Sequence, residues 1–147
     1  MGFQVDQIDH VELFVPDRHQ AAAWYRDVLG LEIITDLAEW ADDPQGPLMI
    51  ATRQGDTKLA LFQGSPVGSQ RHVGFYLLAF RVGATAFLEF ITRLAELELR
   101  DAQGRRVAAE HVRDHGRAYS IYFCDPYAHC LELTTYDYAA VRSTLSR

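Results

Sequence analysis

With 147 residues, 48% of them hydrophobic and 12% aromatic, the chain is long enough for one sizeable core and too short for two ordinary domains. A net charge of -6 excludes the basic footprint of a general nucleic-acid or acidic-membrane binder and leaves a small-molecule ligand as the expected partner. The opening residues Met1 to Asp6 carry neither a basic nor an apolar leader pattern, and no window approaches the apolar length needed to span a bilayer, so the expected location is cytoplasmic.

In chain order, Ile8 to Val15 alternates in character and reads as a first strand, which Pro16-Asp17 stops before opening a helix. Ala21, Ala22, Trp24, Tyr25, Val28 and Leu29 recur at helical spacing, and Gly30 stands where a helix end favours a residue tolerant of positive φ. Leu31 to Thr35, Leu48 to Arg53 and Lys58 to Gln63 follow as strands, the last two joined by the turn signal Gln54-Gly55-Asp56. The first half is therefore βαβββ.

A segment rich in Gly, Ser and Pro, Gly64 to Ser69, precedes the same order again. A strand is expected over Gly74 to Val82, a helix from Thr85 to Glu96, and strands near Glu98 to Arg100, at Tyr119 to Phe123 and at Cys130 to Thr135, with a last helix from about Asp137. Laying His10–Leu31 over Leu77–Leu97 matches apolar to apolar. A repeat of about 65 residues in two copies points to a duplicated module rather than a solenoid. The expected class is α+β, one domain over 1–147, with two βαβββ modules (about 5–64 and 72–136) and a C-terminal helix. Their two curved sheets are expected to face each other around a cleft. Cys124 and Cys130 are too few for a disulfide framework or a structural zinc pattern and read as small buried hydrophobes.

Four segments carry a resemblance. Ile8 to Val15, the helix end Trp24-Tyr25-Arg26-Asp27-Val28-Leu29-Gly30-Leu31, the run Leu78 to Val82, and Tyr122 to Leu133 resemble, in order, the motifs of the vicinal oxygen chelate superfamily. That group includes glyoxalase I, extradiol dioxygenases, fosfomycin resistance proteins and bleomycin-binding proteins. Because one scaffold there hosts several chemistries, the resemblance implies the fold more closely than the reaction. Its metal-dependent members hold a divalent ion with a His from the first strand, a His from the first strand of the second half and a Glu from the last strand. The resemblance puts the first ligand on His10 and the carboxylate on Glu132. Leu77 stands where the second His belongs and has no ligating atom.

His72 lies five residues before Leu77, roughly 16 Å along a strand and on its opposite face, and Tyr76 offers only a neutral phenol. Glu12, two residues after His10, shares its face of the strand. The expected metal set is therefore His10, Glu12 and Glu132, for one divalent ion among Mn, Fe, Zn and Mg, with the site left empty as the alternative. The repeat sets Ala60 opposite Glu132, which removes the further acidic ligand of glyoxalase I and disfavours that activity. Ser120-Ile121-Tyr122-Phe123 resembles the fosfomycin resistance proteins, although Glu12 would repel a phosphonate. His115-Gly116 leads through a tight turn into the strand carrying Tyr122. Glu132 and Tyr122 are the expected catalytic residues, and Glu12, Leu77, Ser120, Tyr122 and His115 the expected substrate-binding ones. Two functions follow: a metal-assisted enzyme on a small oxygenated molecule, or a metal-free binding protein of the bleomycin-resistance kind. Open strand edges and apolar helix faces also lead to an expected homodimer.

Overall fold

The first strand ends where the sequence places a cap, and that cap sets the first helix against its sheet. In this computed structural model, which describes residues 2–4, 7–65 and 76–146, the strand β1 spans His10–Val15 and the helix α1 spans Arg18–Leu29. The Asp17 carboxylate accepts the backbone N–H groups of His19 and Gln20, both at 2.9 Å, satisfying two donors that a helix start otherwise leaves unpaired. Gly30, at φ 73°, ends the helix and donates its N–H to the Arg26 carbonyl. Ala21, Ala22, Tyr25 and Val28 lie buried on one side of α1.

Three more strands complete this sheet: β2 (Glu32–Ile33), β3 (Leu48–Ala51) and β4 (Lys58–Gln63). Their order is β1-β4-β3-β2, with β1 parallel to β4 and the other pairs antiparallel. Strand alternation sends Leu13, Val15, Ile50, Leu59 and Leu61 to the buried face, where each side chain contributes about 1.5–3 kcal/mol of hydrophobic stabilisation. Between β2 and β3 the chain forms a 3-10 segment, Thr35–Asp42, which the sequence pattern does not announce. Arg18 holds the end of that segment. Its buried guanidinium donates to the carbonyls of Ala41, Asp43 and Gly46. Gly46 is required there, because a Cβ would come within 2.0 Å of the Trp40 carbonyl oxygen.

The second half repeats the order with β5 (Leu78–Arg81), α2 (Ala84–Leu97), β6 (Arg113–Asp114), β7 (Tyr119–Cys124), β8 (Cys130–Thr135) and α3 (Tyr138–Leu145). Its sheet runs β5-β8-β7-β6, again with the first and last strands parallel. Phe87, Phe90, Ile91 and Leu94 bury one side of α2. The N–H of Ala84 is capped from a distance in sequence, by the Asp137 carboxylate at 2.9 Å, so one acid joins the starts of α2 and α3. The chain divides into two compact units, Met1–Ser69 and Gln70–Arg147. No helix among the described residues is long and apolar enough to cross a membrane.

One expected strand is corrected. Glu98–Arg100 forms no strand: α2 ends at Glu98 in the left-handed region, φ 54°, and Arg100 makes only isolated bridges to Arg106 and Cys124. Asp101 then closes a turn by accepting the N–H groups of Gln103 and Arg105. The second strand of this half is Arg113–Asp114, after the 98–112 connection. Two other strands are shorter than expected, β2 ending at Ile33 and β3 at Ala51, while Gly74 and Phe75 of the expected strand before α2 fall outside the described residues.

Candidate functional site

In the first unit the register His10↔Lys58, Glu12↔Ala60 and Met49↔Ala60 places His10, Glu12, Met49, Lys58, Ala60 and Phe62 on one face of the sheet, away from the α1 side. A pocket of about 400 Å³ opens on that face, walled by Leu37 and Trp40 of the 3-10 segment and by Pro47. His10 is oriented from both sides. Its Nδ1 meets the Asp9 carboxylate at 2.8 Å, and its Nε2 lies 3.5 Å from Glu12 Oε1. The Asp9 hydrogen bond leads in raising the His10 pKa, with Glu12 adding to it and burial opposing. Asp9 is itself fixed by Lys58, whose ammonium sits at 2.8 Å and is the largest cause of its lowered carboxyl pKa.

The second unit carries a different set on its corresponding face. The pairs Ala79↔Glu132, Tyr122↔Glu132 and Ser120↔Thr134 align Ser120, Tyr122, Glu132 and Thr134 on one side. Tyr122 Oη lies 3.0 Å from His115 Nε2, with the rings edge to face. Burial, followed by the Glu132 charge, raises the Tyr122 pKa, so the phenol stays protonated and able to donate at neutral pH. A second pocket of about 570 Å³ lies in this unit and takes in Tyr76, Leu77, Arg113, Tyr122, Cys124 and Cys130.

The sheet registers thus bring His10 and Glu12 together, and separately Tyr122 with Glu132 and His115. Ser120 is fully buried, its hydroxyl donating to Thr134 Oγ1 at 2.9 Å, while Leu77 is half-buried at the lip of the larger pocket. His72 lies outside the described residues. The sequence reading missed Asp9, Lys58 and Trp40. Lys58 was within reach, since strand alternation from Ala60 places it beside His10; Trp40 was not, because its position depends on the Arg18 contacts.

Whether these residues suit a divalent ion can be tested on the donors themselves. A ring nitrogen and a carboxylate oxygen, each about 2.0–2.2 Å from one ion, stand roughly 3–3.5 Å apart. His10 Nε2 and Glu12 Oε1, at 3.5 Å, meet that spacing. The Asp9 carboxylate on Nδ1 supplies the outer partner that fixes a ligating imidazole. Two coordination positions therefore fit. Leu77 provides none, and among the described residues no three His, Cys, Asp or Glu side chains converge.

Comparison with known proteins agrees with the fold. A bacterial domain from Frankia sp. EAN1pec, named as a glyoxylase/bleomycin resistance protein/dioxygenase domain, superposes with a TM-score of 0.67 at 18% identity, over 90% of this chain and 93% of that one. A mutant of the fosfomycin resistance protein FosX from Listeria monocytogenes, complexed with Mn(II) and 1S,2S-dihydroxypropylphosphonic acid, gives 0.65 at 18% identity over 98% and 100%. A glyoxalase/dioxygenase from Nostoc punctiforme gives 0.61 at 22% identity over 88% and 90%. No curated protein matches the chain in sequence. The family model for the Glyoxalase/Bleomycin resistance protein/Dioxygenase superfamily matches residues 7–133, nearly the whole chain, and the protein belongs to that superfamily.

Proposed function

We propose that the protein is a metal-assisted enzyme acting on a small oxygenated molecule, with a reduced ligand set and an activity other than glyoxalase I. The observation that carries this reading is the Asp9–His10–Glu12 arrangement, in which one carboxylate fixes Nδ1 and leaves Nε2 beside a second carboxylate. His10 and Glu12 would hold the ion, and Glu132 is the further ligand that the family pattern implies. Mn(II) beside the FosX relative supports the choice of a divalent ion; Fe, Zn and Mg are the other candidates. When bound, such an ion polarises adjacent oxygens of a substrate. Tyr122 holds a proton at its phenol oxygen and presents it to a substrate oxygen, with His115 fixing the ring. Glu132, the cross-strand partner of Tyr122, would receive a proton from substrate. Glu12, Leu77 and His115 shape the binding surface, and Ser120 supports it from beneath through Thr134. The working form is a cytoplasmic homodimer, to be checked by light scattering, where a monomeric mass at micromolar concentration removes the dimer.

Calorimetric titration of untagged protein with Mn²⁺ and with Zn²⁺ tests the site. The parent should bind weakly, Leu77→His should raise the affinity about tenfold or more, and Glu132→Ala should abolish binding. Tight binding that survives Glu132→Ala contradicts the ligand set and turns attention to His72 or His115. Leu77 and the apolar walls of the smaller pocket favour a second reading, a metal-free binding protein. A parent that takes up no ion yet binds a cationic aromatic molecule would establish that instead.

A further inference from the structure

Cys124 and Cys130 are free, half-buried, and directly opposed in the antiparallel register of β7 and β8. The hydrogen-bond pattern settles what kind of pair they form. The Cys124 N–H donates away from β8, to the Arg100 carbonyl at 2.8 Å, while the next pair inward to the turn is bonded through the Asp125 N–H and the His129 carbonyl at 3.1 Å. Cys124 and Cys130 are therefore a non-hydrogen-bonded pair, the kind whose Cα atoms approach to about 4.5 Å and whose side chains lie closest on one face. That separation falls at the short end of the roughly 4.4–6.8 Å that a disulfide bridges.

The turn between them keeps this opposition fixed. Asp125 is buried and accepts the N–H groups of Tyr127 and His129, both at 2.9 Å, and its other oxygen bonds the His129 ring. Ala128 completes the turn at φ 71°. Both cysteines also line the 570 Å³ pocket, so a small reagent can reach them without unfolding the sheet.

We propose that Cys124 and Cys130 are a reversible dithiol–disulfide site, oxidised by thiol exchange with a small disulfide that enters the pocket of the second unit. One of the two thiols makes the first attack as a thiolate, and its cross-strand partner resolves the mixed disulfide. That thiolate attacks one sulfur of the small disulfide, whose S–S bond breaks and releases one thiol. The partner cysteine then attacks the protein sulfur of the mixed disulfide, loses its proton and expels the second thiol. Two protein thiols are oxidised, one small disulfide is reduced to two thiols, and a bridge at the edge of the allowed span is readily reversed. Closure replaces two S–H groups of the pocket wall by one apolar bridge, two residues from Tyr122.

The folded full-length chain is treated with glutathione disulfide and followed by intact mass and by maleimide labelling. The two thiols per chain should fall to none, with loss of two hydrogens and no glutathione retained, and dithiothreitol should restore both. Cys124→Ser and Cys130→Ser, each lacking a partner thiol, should instead stop at one glutathione adduct. Wild-type protein that retains glutathione, that links chain to chain, or that stays reduced under conditions where the single variants take up glutathione overturns the proposal.

Discussion

In the first half of the molecule the carboxylate on the sheet face stands on the first strand, Glu12 opposite Ala60; in the second it stands on the last strand, Glu132 opposite Ala79. Strand order and register are otherwise alike, so the two halves carry one scaffold with acid and alanine exchanged between equivalent strands. The histidine follows the same division: His10 begins β1, whereas Leu77 precedes β5. The long connections differ as well. In the first half it separates β2 from β3 and walls the smaller pocket with Leu37 and Trp40; in the second it separates α2 from β6 and lines the larger one. A duplicated fold thus keeps its hydrophobic face, where packing is unforgiving, and varies the opposite face and the loops.

The largest expected effect breaks the first half alone. Arg18→Ala leaves three loop carbonyls without their charged donor and should cost roughly 3 kcal/mol or more in urea unfolding, since bonds to charged groups contribute about 1.5–3 kcal/mol. A loss below about 1 kcal/mol would show that the loop is held by something else. Next, Asp9→Asn removes the outer partner of His10 and should weaken Mn²⁺ binding about tenfold, while lowering the imidazole pKa followed by NMR, because Asp9 is its leading cause. Unchanged affinity would separate His10 from metal.

A smaller effect belongs to the second half. Asp114 accepts from the Gly116 N–H and the hydroxyls of Tyr119 and Tyr138, with the Gly116 bond the main cause of its depressed pKa. A lowered folded-state value contributes stability that is present above the ordinary 3.8 and is lost as pH falls through the folded value. Asp114→Asn should therefore lower the Tm at pH 7, with the gap to wild type closing in acid; a gap that widens in acid contradicts the assignment. The least effect is expected of His115→Ala, which removes one contact to Tyr122 while burial and Glu132 still hold the phenol protonated. Ultraviolet titration should find that tyrosine still raised.

The sequence carried the hydrophobic face well. Alternation and the repeat predict β4 and β8 at their observed limits, Lys58–Gln63 and Cys130–Thr135, and place α1 with its Gly30 end. It failed at Arg113–Asp114, two exposed charged residues with no apolar period to betray a strand, and copying the first half's order onto Glu98–Arg100 assumed that the long connection falls in the same place twice. The site was legible in part. Parity alone joins His10 to Glu12, but Asp9 on the ring and His115 on Tyr122 depend on side-chain placement outside the strands, and the cysteines read as buried filler because their cross-strand register is a pairing property.

Whether His10 and Glu12 hold an ion is read directly by paramagnetic line broadening with Mn²⁺. Substoichiometric Mn²⁺ added to isotopically labelled protein should broaden the signals of His10 and Glu12 first, and Glu12→Ala should remove the effect at His10 as well. Broadening confined to other exposed acids of the surface, with His10 and Glu12 sharp throughout, would contradict it.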